Sequence, residues 1–161
     1  MNKELDQILS LTAEAVFESL AFLLPMPEEG EAPLSPMVAA QVDFSGPFDG
    51  TLAMVAESSM LPALAANMLG TEDGIVPSHD QQEDAFKELL NVLCGNLLPA
   101  LAGAESVFTV HAPQLLAGGV LPETAAGRGP VWTTSMCVDA GRLRLALFAN
   151  GELPAELASA S

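Results

Sequence analysis

Between Asp84 and Asn96 the chain reads DAFKELLNVLCGN, and the spacing of its polar residues constrains the fold more than any other feature. A rotation of about 100° per residue puts Glu88 roughly 40°, Asn91 roughly −20° and Gly95 roughly 20° from Asp84, so the four share one narrow stripe of a helix. Phe86, Leu89, Leu90, Leu93 and Leu97 gather on the opposite side. A helix with one apolar face must bury that face against another layer. The segment therefore demands a core beneath it and leaves its polar stripe to solvent or to a partner.

The rest of the chain supplies the other layer. Ile8, Leu9, Ala13, Val16, Phe17, Leu20 and Leu24 recur at three- and four-residue steps and predict a first helix. Four prolines in LPMPEEGEAPLSP forbid its continuation and mark residues 25–36 as a Pro-rich connector. MVAAQVDFSGPFDGTLAMVAE reads as a hairpin whose loop exceeds two residues. SMLPALAANMLG reads as a short helix with Ser59 as its cap and Gly70 as its stop. The acidic, turn-rich TEDGIVPSHD then leads into the third helix, which Pro99 is expected to kink or end.

After Gly103 the segments SVFTVHAPQLLAGG, PVWTTSMCVDAG and RLRLALFANGE show strand-like alternation, with Asp139-Ala140-Gly141 as a tight hairpin loop. Residues 152–161 have little to bury and are expected to fray. The predicted order of helix, strand pair, helix, helix and strands gives an α+β fold, an antiparallel β-sheet with long α-helices packed on it. Residues 1–161 suffice for a single domain of this kind.

Twenty-one acidic residues against five basic ones give a formal charge of −16, which repels nucleic acid and anionic membranes alike. Two readings of this charge stay open: solubility alone, or steering of a protein partner whose surface carries lysines or arginines. No run of about 18 apolar residues is present to span a membrane, and MNKELDQILS lacks the layout of a signal peptide, so a cytoplasmic protein is expected. Cys94 and Cys137 have no CxxC spacing and read as buried thiols. His79 and His111 lack a second ligand at metal spacing, so no metal site is expected.

A solvated face is the plain reading of the stripe, and Asp84 near a helix N-terminus also suits the helix dipole. Two residues argue for contact instead. Asn91 competes with the backbone for hydrogen bonds inside a helix. Gly95 costs about 1 kcal/mol there relative to alanine, and it removes the side chain that would hold another surface away.

Asp84-xxx-Glu88-xx-Asn91 followed by Gly95-Asn96 resembles the D/S-x3-E-x2-N signature of the CheC, CheX and FliY chemotaxis phosphatases, in its CheX form. ALAANMLG, FSGPFDGTLAMVAE and AEAVFESL are each similar to the corresponding CheX segments, so the resemblance covers most of the chain. It departs from the family pattern at Leu97-Leu98-Pro99, where small or basic residues are usual.

The resemblance implies a CheC/CheX-like fold, a phosphorylated CheY-like response regulator as partner, and hydrolysis of its aspartyl phosphate. It implies Asn91 as the residue that orients the attacking water and Glu88 as the residue that pairs with the regulator's lysine. Asp84, Gly95 and Asn96 then belong to the partner-binding surface. It further implies no cofactor bound by this chain, with magnesium on the regulator, and a homodimer. The first helix carries Glu14-xxx-Glu18-xx-Ala21, with alanine where a second motif needs its amide, so one active site per chain is expected. A binding or adaptor module that docks on response regulators without catalysis is the alternative.

Overall fold

Period-two alternation in the strand segments is realised as a single antiparallel sheet. The computed structural model describes residues 3–20, 26–27, 36–72, 74–138 and 141–150. In chain order these form α1 (Lys3–Leu20), β1 (Met26–Pro27), β2 (Met37–Ser45), β3 (Gly50–Glu57), α2 (Leu61–Leu69), α3 (His79–Ala102), β4 (Thr109–Val110), β5 (Gln114–Leu116), β6 (Trp132–Val138) and β7 (Gly141–Ala149). Neighbours in the sheet run β1-β6-β7-β3-β2-β4, and β5 also pairs with β2. α1 and α2 both pack on α3, which lies across β2 and β3. The expected α+β fold is the one observed.

One set of alternating residues builds the main core. Ala40, Val42 and Phe44 of β2, Leu52 and Met54 of β3, and Leu143, Leu145 and Leu147 of β7 meet Phe86, Leu89, Leu90 and Leu93 of α3. The intervening Ala53, Ala146 and Phe148 face the other way and pack with Leu121 and Ala125. Thr51, the one buried polar side chain among the described residues, satisfies its hydroxyl by donating to Asp43 Oδ1 at 2.7 Å across the β2–β3 pair.

The β2–β3 loop is longer than two residues, as predicted, and the pairing closes at Phe44 opposite Gly50. Gly50 has a packing reason: a Cβ there would run into the Phe148 carbonyl oxygen and the Phe44 ring. α2 stops at Gly70, whose φ of 64° is the left-handed conformation that glycine adopts without strain, as expected.

Several expectations need correction. Ser59 does not cap α2; a 3-10 turn over Ser58–Met60 leads into the helix, and the Ser58 carbonyl accepts from the Leu61 N–H that a side-chain cap would otherwise serve. Pro99 does not end α3, which continues to Ala102. Leu97, Leu98 and Leu101 are all buried around it, and their packing holds the last turn against the lost hydrogen bond.

The connector of residues 25–36 is not wholly irregular, because Met26 and Pro27 pair with Cys137 and Met136 of β6 at the edge of the sheet, where a proline removes no ladder bond from a central strand. Of the stretch from Ser106 to Gly119, only β4 and β5 are strands. Cys137 is half-buried, whereas Cys94 is buried as expected. Leu24, Ala21, Asp139, Ala140 and the tail 152–161 lie outside the described residues. Among the described residues no helix is long and apolar enough to cross a membrane.

Candidate functional site

The site is built on α3, and α3 begins with a reciprocal cap. The Ser78 hydroxyl accepts from the Gln81 N–H at 3.1 Å while the Gln81 side chain accepts from the Ser78 N–H at 2.8 Å. This capping box satisfies two of the amides that a helix start leaves without partners. It fixes the register of everything downstream, including the turn that carries Asp84. The sequence reading takes TEDGIVPSHD as a turn-rich lead-in to this helix, whereas the helix already begins at His79; the Ser78-x-x-Gln81 spacing is the signal that locates its start.

The stripe emerges as the periodicity required. Asp84, Glu88, Gly95 and Asn96 are exposed and Asn91 is half-buried, while Phe86, Leu89, Leu90, Leu93 and Leu97 are buried beneath them. Among the described residues, no hydrogen bond or ion pair engages the Glu88 carboxylate or the Asn91 amide. An exposed carboxylate and a half-buried amide less than one turn apart are therefore uncommitted to the described part of their own fold.

The neighbouring groups are less available. Asp84 is exposed and lies 3.6 Å from the half-buried Lys87 ammonium, a long surface pair of the kind that exchanges readily with solvent or with another cation. The Asn96 amide donates to the Val92 carbonyl at 2.8 Å, one turn back along its own helix. By angle Asn96 sits about 120° from Asp84, on the margin of the stripe. It edges the surface while Glu88, Asn91 and Gly95 form its centre.

Gly95 needs no space for the fold's own sake. Nothing lies within 4 Å of where its Cβ would be, so internal packing gives no reason for a glycine. The far end of the surface is set by Leu98, which falls on the stripe by angle yet is 2% exposed. The departure from the family pattern at Leu97-Leu98 thus lies under the surface and closes the stripe after Gly95-Asn96.

At the other end the stripe borders a groove of about 320 Å³, lined by Gln81, Asp84, Ala85 and Glu88 from α3 and by Met68 and Leu69 from the end of α2. The sequence reading missed Met68, Leu69 and Gln81, because nothing in a single segment reveals which neighbouring helix flanks it. On α1, Glu14 and Glu18 are exposed. Ala21, on which the expectation of a single site rests, lies outside the described residues.

Among the described residues, no three His, Cys, Asp or Glu side chains group closely enough to hold a metal ion. Cys94 is buried in the same helix, and desolvation pushes its thiol from 9.0 up to about 12. A thiol so protected from ionisation is a packing group and no nucleophile at neutral pH.

Comparison with known proteins fits this geometry. Among curated proteins, none matches the sequence. Solved structures match across most of the chain. Chemotaxis protein CheX from Desulfovibrio desulfuricans is 19% identical with a TM-score of 0.67, covering 91% of this chain and 99% of that one. CheX from Vibrio vulnificus is 16% identical with a TM-score of 0.69, covering 89% of this chain and 95% of that one. A chain of the CheX-CheY-BeF3-Mg complex from Borrelia burgdorferi is 13% identical with a TM-score of 0.58, covering 90% of this chain and 97% of that one. At these identities the likeness establishes a shared fold. Residues 38–134, which include the hairpin, α2 and the whole of α3, match the family described as chemotaxis phosphatase CheX, and the chain belongs to that family.

Proposed function

We propose that this protein hydrolyses the aspartyl phosphate of a CheY-type response regulator, with Asn91 and Glu88 as the working pair. The observation that carries the reading is that a Glu88 carboxylate and an Asn91 amide, neither engaged by any described residue, share one polar stripe of α3 in a CheX-family fold. Support for the partner comes from the Borrelia burgdorferi structure, a CheX-CheY-BeF3-Mg complex.

The chemistry asks little covalent work of the catalyst. An acyl phosphate is already activated and its transition state is loose, so positioning and charge organisation carry the reaction. A water oxygen forms a new bond to phosphorus as the bond from phosphorus to the aspartyl oxygen breaks. The products are inorganic phosphate and the free carboxylate of the regulator, and the water's proton leaves with the phosphate or to solvent.

Asn91 suits the positioning task, because a neutral carboxamide offers a donor and an acceptor and holds a water by both. Glu88 suits docking, because its carboxylate pairs with a lysine of the regulator's active site in a charge-assisted hydrogen bond. The regulator's own magnesium would balance charge on the phosphoryl oxygens. Nothing in this scheme calls for a nucleophile from this chain.

The direct test follows decay of a phosphorylated CheY-type regulator with and without this protein. Wild type is expected to accelerate decay, and Asn91→Ala to remove about 10²-fold or more of that acceleration while binding persists. Glu88→Ala is expected to act mainly on KM. Equal acceleration by wild type and Asn91→Ala sinks the assignment of Asn91, and binding with no acceleration by wild type selects the adaptor reading.

A further inference from the structure

The groove beside the stripe has two chemically different walls. Asp84 and Glu88 present carboxylates on the α3 side, and Met68 and Leu69 present apolar surface on the α2 side. Leu69 is 51% exposed, and Ile75 and Val76, in the connector joining the two walls, are 54% and 72% exposed. Single exposed leucines are ordinary on protein surfaces. Leu69 lines the groove beside two exposed carboxylates, and with Ile75 and Val76 exposed in the connector that follows it, this part of the surface carries more large apolar side chains than solubility asks for, as interaction surfaces do.

The sign of the charge selects the occupant. A second copy of this chain would bring its own −16 to the groove, setting acid against acid. The C-terminal residues 151–161 contain Glu152 and Glu156 and neither lysine nor arginine, so they suit it no better. A complementary occupant must be cationic at one point and apolar beside it. Among the described residues Asp84 pairs with Lys87 alone, across a long 3.6 Å contact whose carboxylate is the exposed member, so an incoming cation can displace that partner at little loss.

We infer that the groove between α2 and α3 receives a segment of the response regulator in which a lysine or arginine sits next to an aliphatic or aromatic side chain. The cation lies beside Asp84 and the apolar side chain lies against Met68 and Leu69. This rests on the proposed function for the identity of the partner, and it makes Leu69 a specificity residue that touches no reacting atom. The stripe then does the chemistry, and the groove decides which regulator is presented to it.

The test is calorimetric binding of a CheY-type receiver domain from the source genome, loaded with beryllium fluoride and magnesium, to wild type, Leu69→Gln, Leu69→Lys and Val107→Lys. Val107 is 80% exposed and follows the far end of α3, so it controls for loss of any exposed apolar group. Leu69→Gln is expected to weaken binding several-fold. Leu69→Lys, which also opposes an incoming cation, is expected to weaken it about tenfold or more, with Val107→Lys unchanged. Thermal unfolding of the Leu69 variants is expected to match wild type, because the side chain is half in solvent.

Binding by Leu69→Lys equal to wild type overturns the inference, and if wild type still accelerates dephosphorylation the phosphatase reading survives alone. Weakened binding by Leu69→Lys with no acceleration by wild type does the reverse: the groove stands and the catalytic reading falls. Absence of any receiver binding by folded wild type removes both.

Discussion

Gly95→Ala separates what the fold wants from what the surface is for. Glycine in a helix interior is less favourable than alanine by about 1 kcal/mol, chiefly through backbone entropy in the unfolded chain. At Gly95 a methyl group would meet nothing within 4 Å, so no clash offsets that gain. The residue is exposed on an unbroken stretch of α3, seven residues before the helix ends at Ala102. Gly95→Ala should therefore stabilise the protein by about 0.5–1 kcal/mol, which for a domain of this size raises Tm by roughly 1–4 °C.

Function should move the opposite way. If the stripe docks flush on a regulator, the new methyl group stands between the two backbones, and dephosphorylation at sub-saturating regulator should fall about tenfold or more, through KM. Differential scanning calorimetry and a phospho-regulator decay assay on the same preparation read the two effects. A lower Tm refutes the packing argument, and a higher Tm with unchanged decay kinetics refutes close approach at Gly95.

Two further outcomes follow from the helix that carries the site. Ser78→Ala removes one half of the capping box at the start of α3, and should lower stability by about 1 kcal/mol with faster amide exchange confined to the first turn; uniform loss of protection along α3 would contradict a local role. Cys94 is raised from 9.0 to about 12 by burial, so its contribution to stability is complete below pH 9 and is lost as pH climbs towards 12. Urea midpoints of wild type should then drop above pH 9 more steeply than those of Cys94→Ala, and a thiol reagent at pH 8 should find Cys137 first; rapid reaction of both thiols in the folded protein would count against the burial.

Much of this was legible in the sequence because the relevant signals are local. The stripe on α3 and the buried row behind it follow from a 3.6-residue period over more than three turns. The β2–β3 hairpin was legible from its alternation and its Gly/Pro loop, and Gly70 from the conformation a helix stop requires. What escaped depends on contacts between segments. Met26 and Pro27 become a strand only because β6 lies beside them, and no property of a proline-rich connector announces that. Pro99 stays inside a helix because Leu97, Leu98 and Leu101 are held by the core, a tertiary override of a local rule. The groove was invisible for the same reason, since Leu69 and Asp84 are fifteen positions apart in the chain and share a cavity only once α2 folds onto α3.

That override also explains how so awkward a helix can exist. Relative to alanine, a helix interior loses about 3 kcal/mol at a proline, about 1 kcal/mol at a glycine and a fraction more at an asparagine, and α3 holds all three between Asn91 and Pro99. As an isolated peptide it would not be helical. Against this, α3 buries Phe86 and six leucines, and each such side chain contributes roughly 1.5–3 kcal/mol, so two or three of the seven offset the whole deficit. The polar side of α3 is thereby released from any duty to stabilise the helix, and it can hold residues chosen for contact. The same arrangement ties the orientation of Glu88 and Asn91 to the sheet below. Whatever loosens the row Phe86, Leu90, Leu93 and Leu97 should blur the stripe before it unfolds the protein, since the carboxylate and the amide keep their relative direction only while the helix between them is pressed into its core.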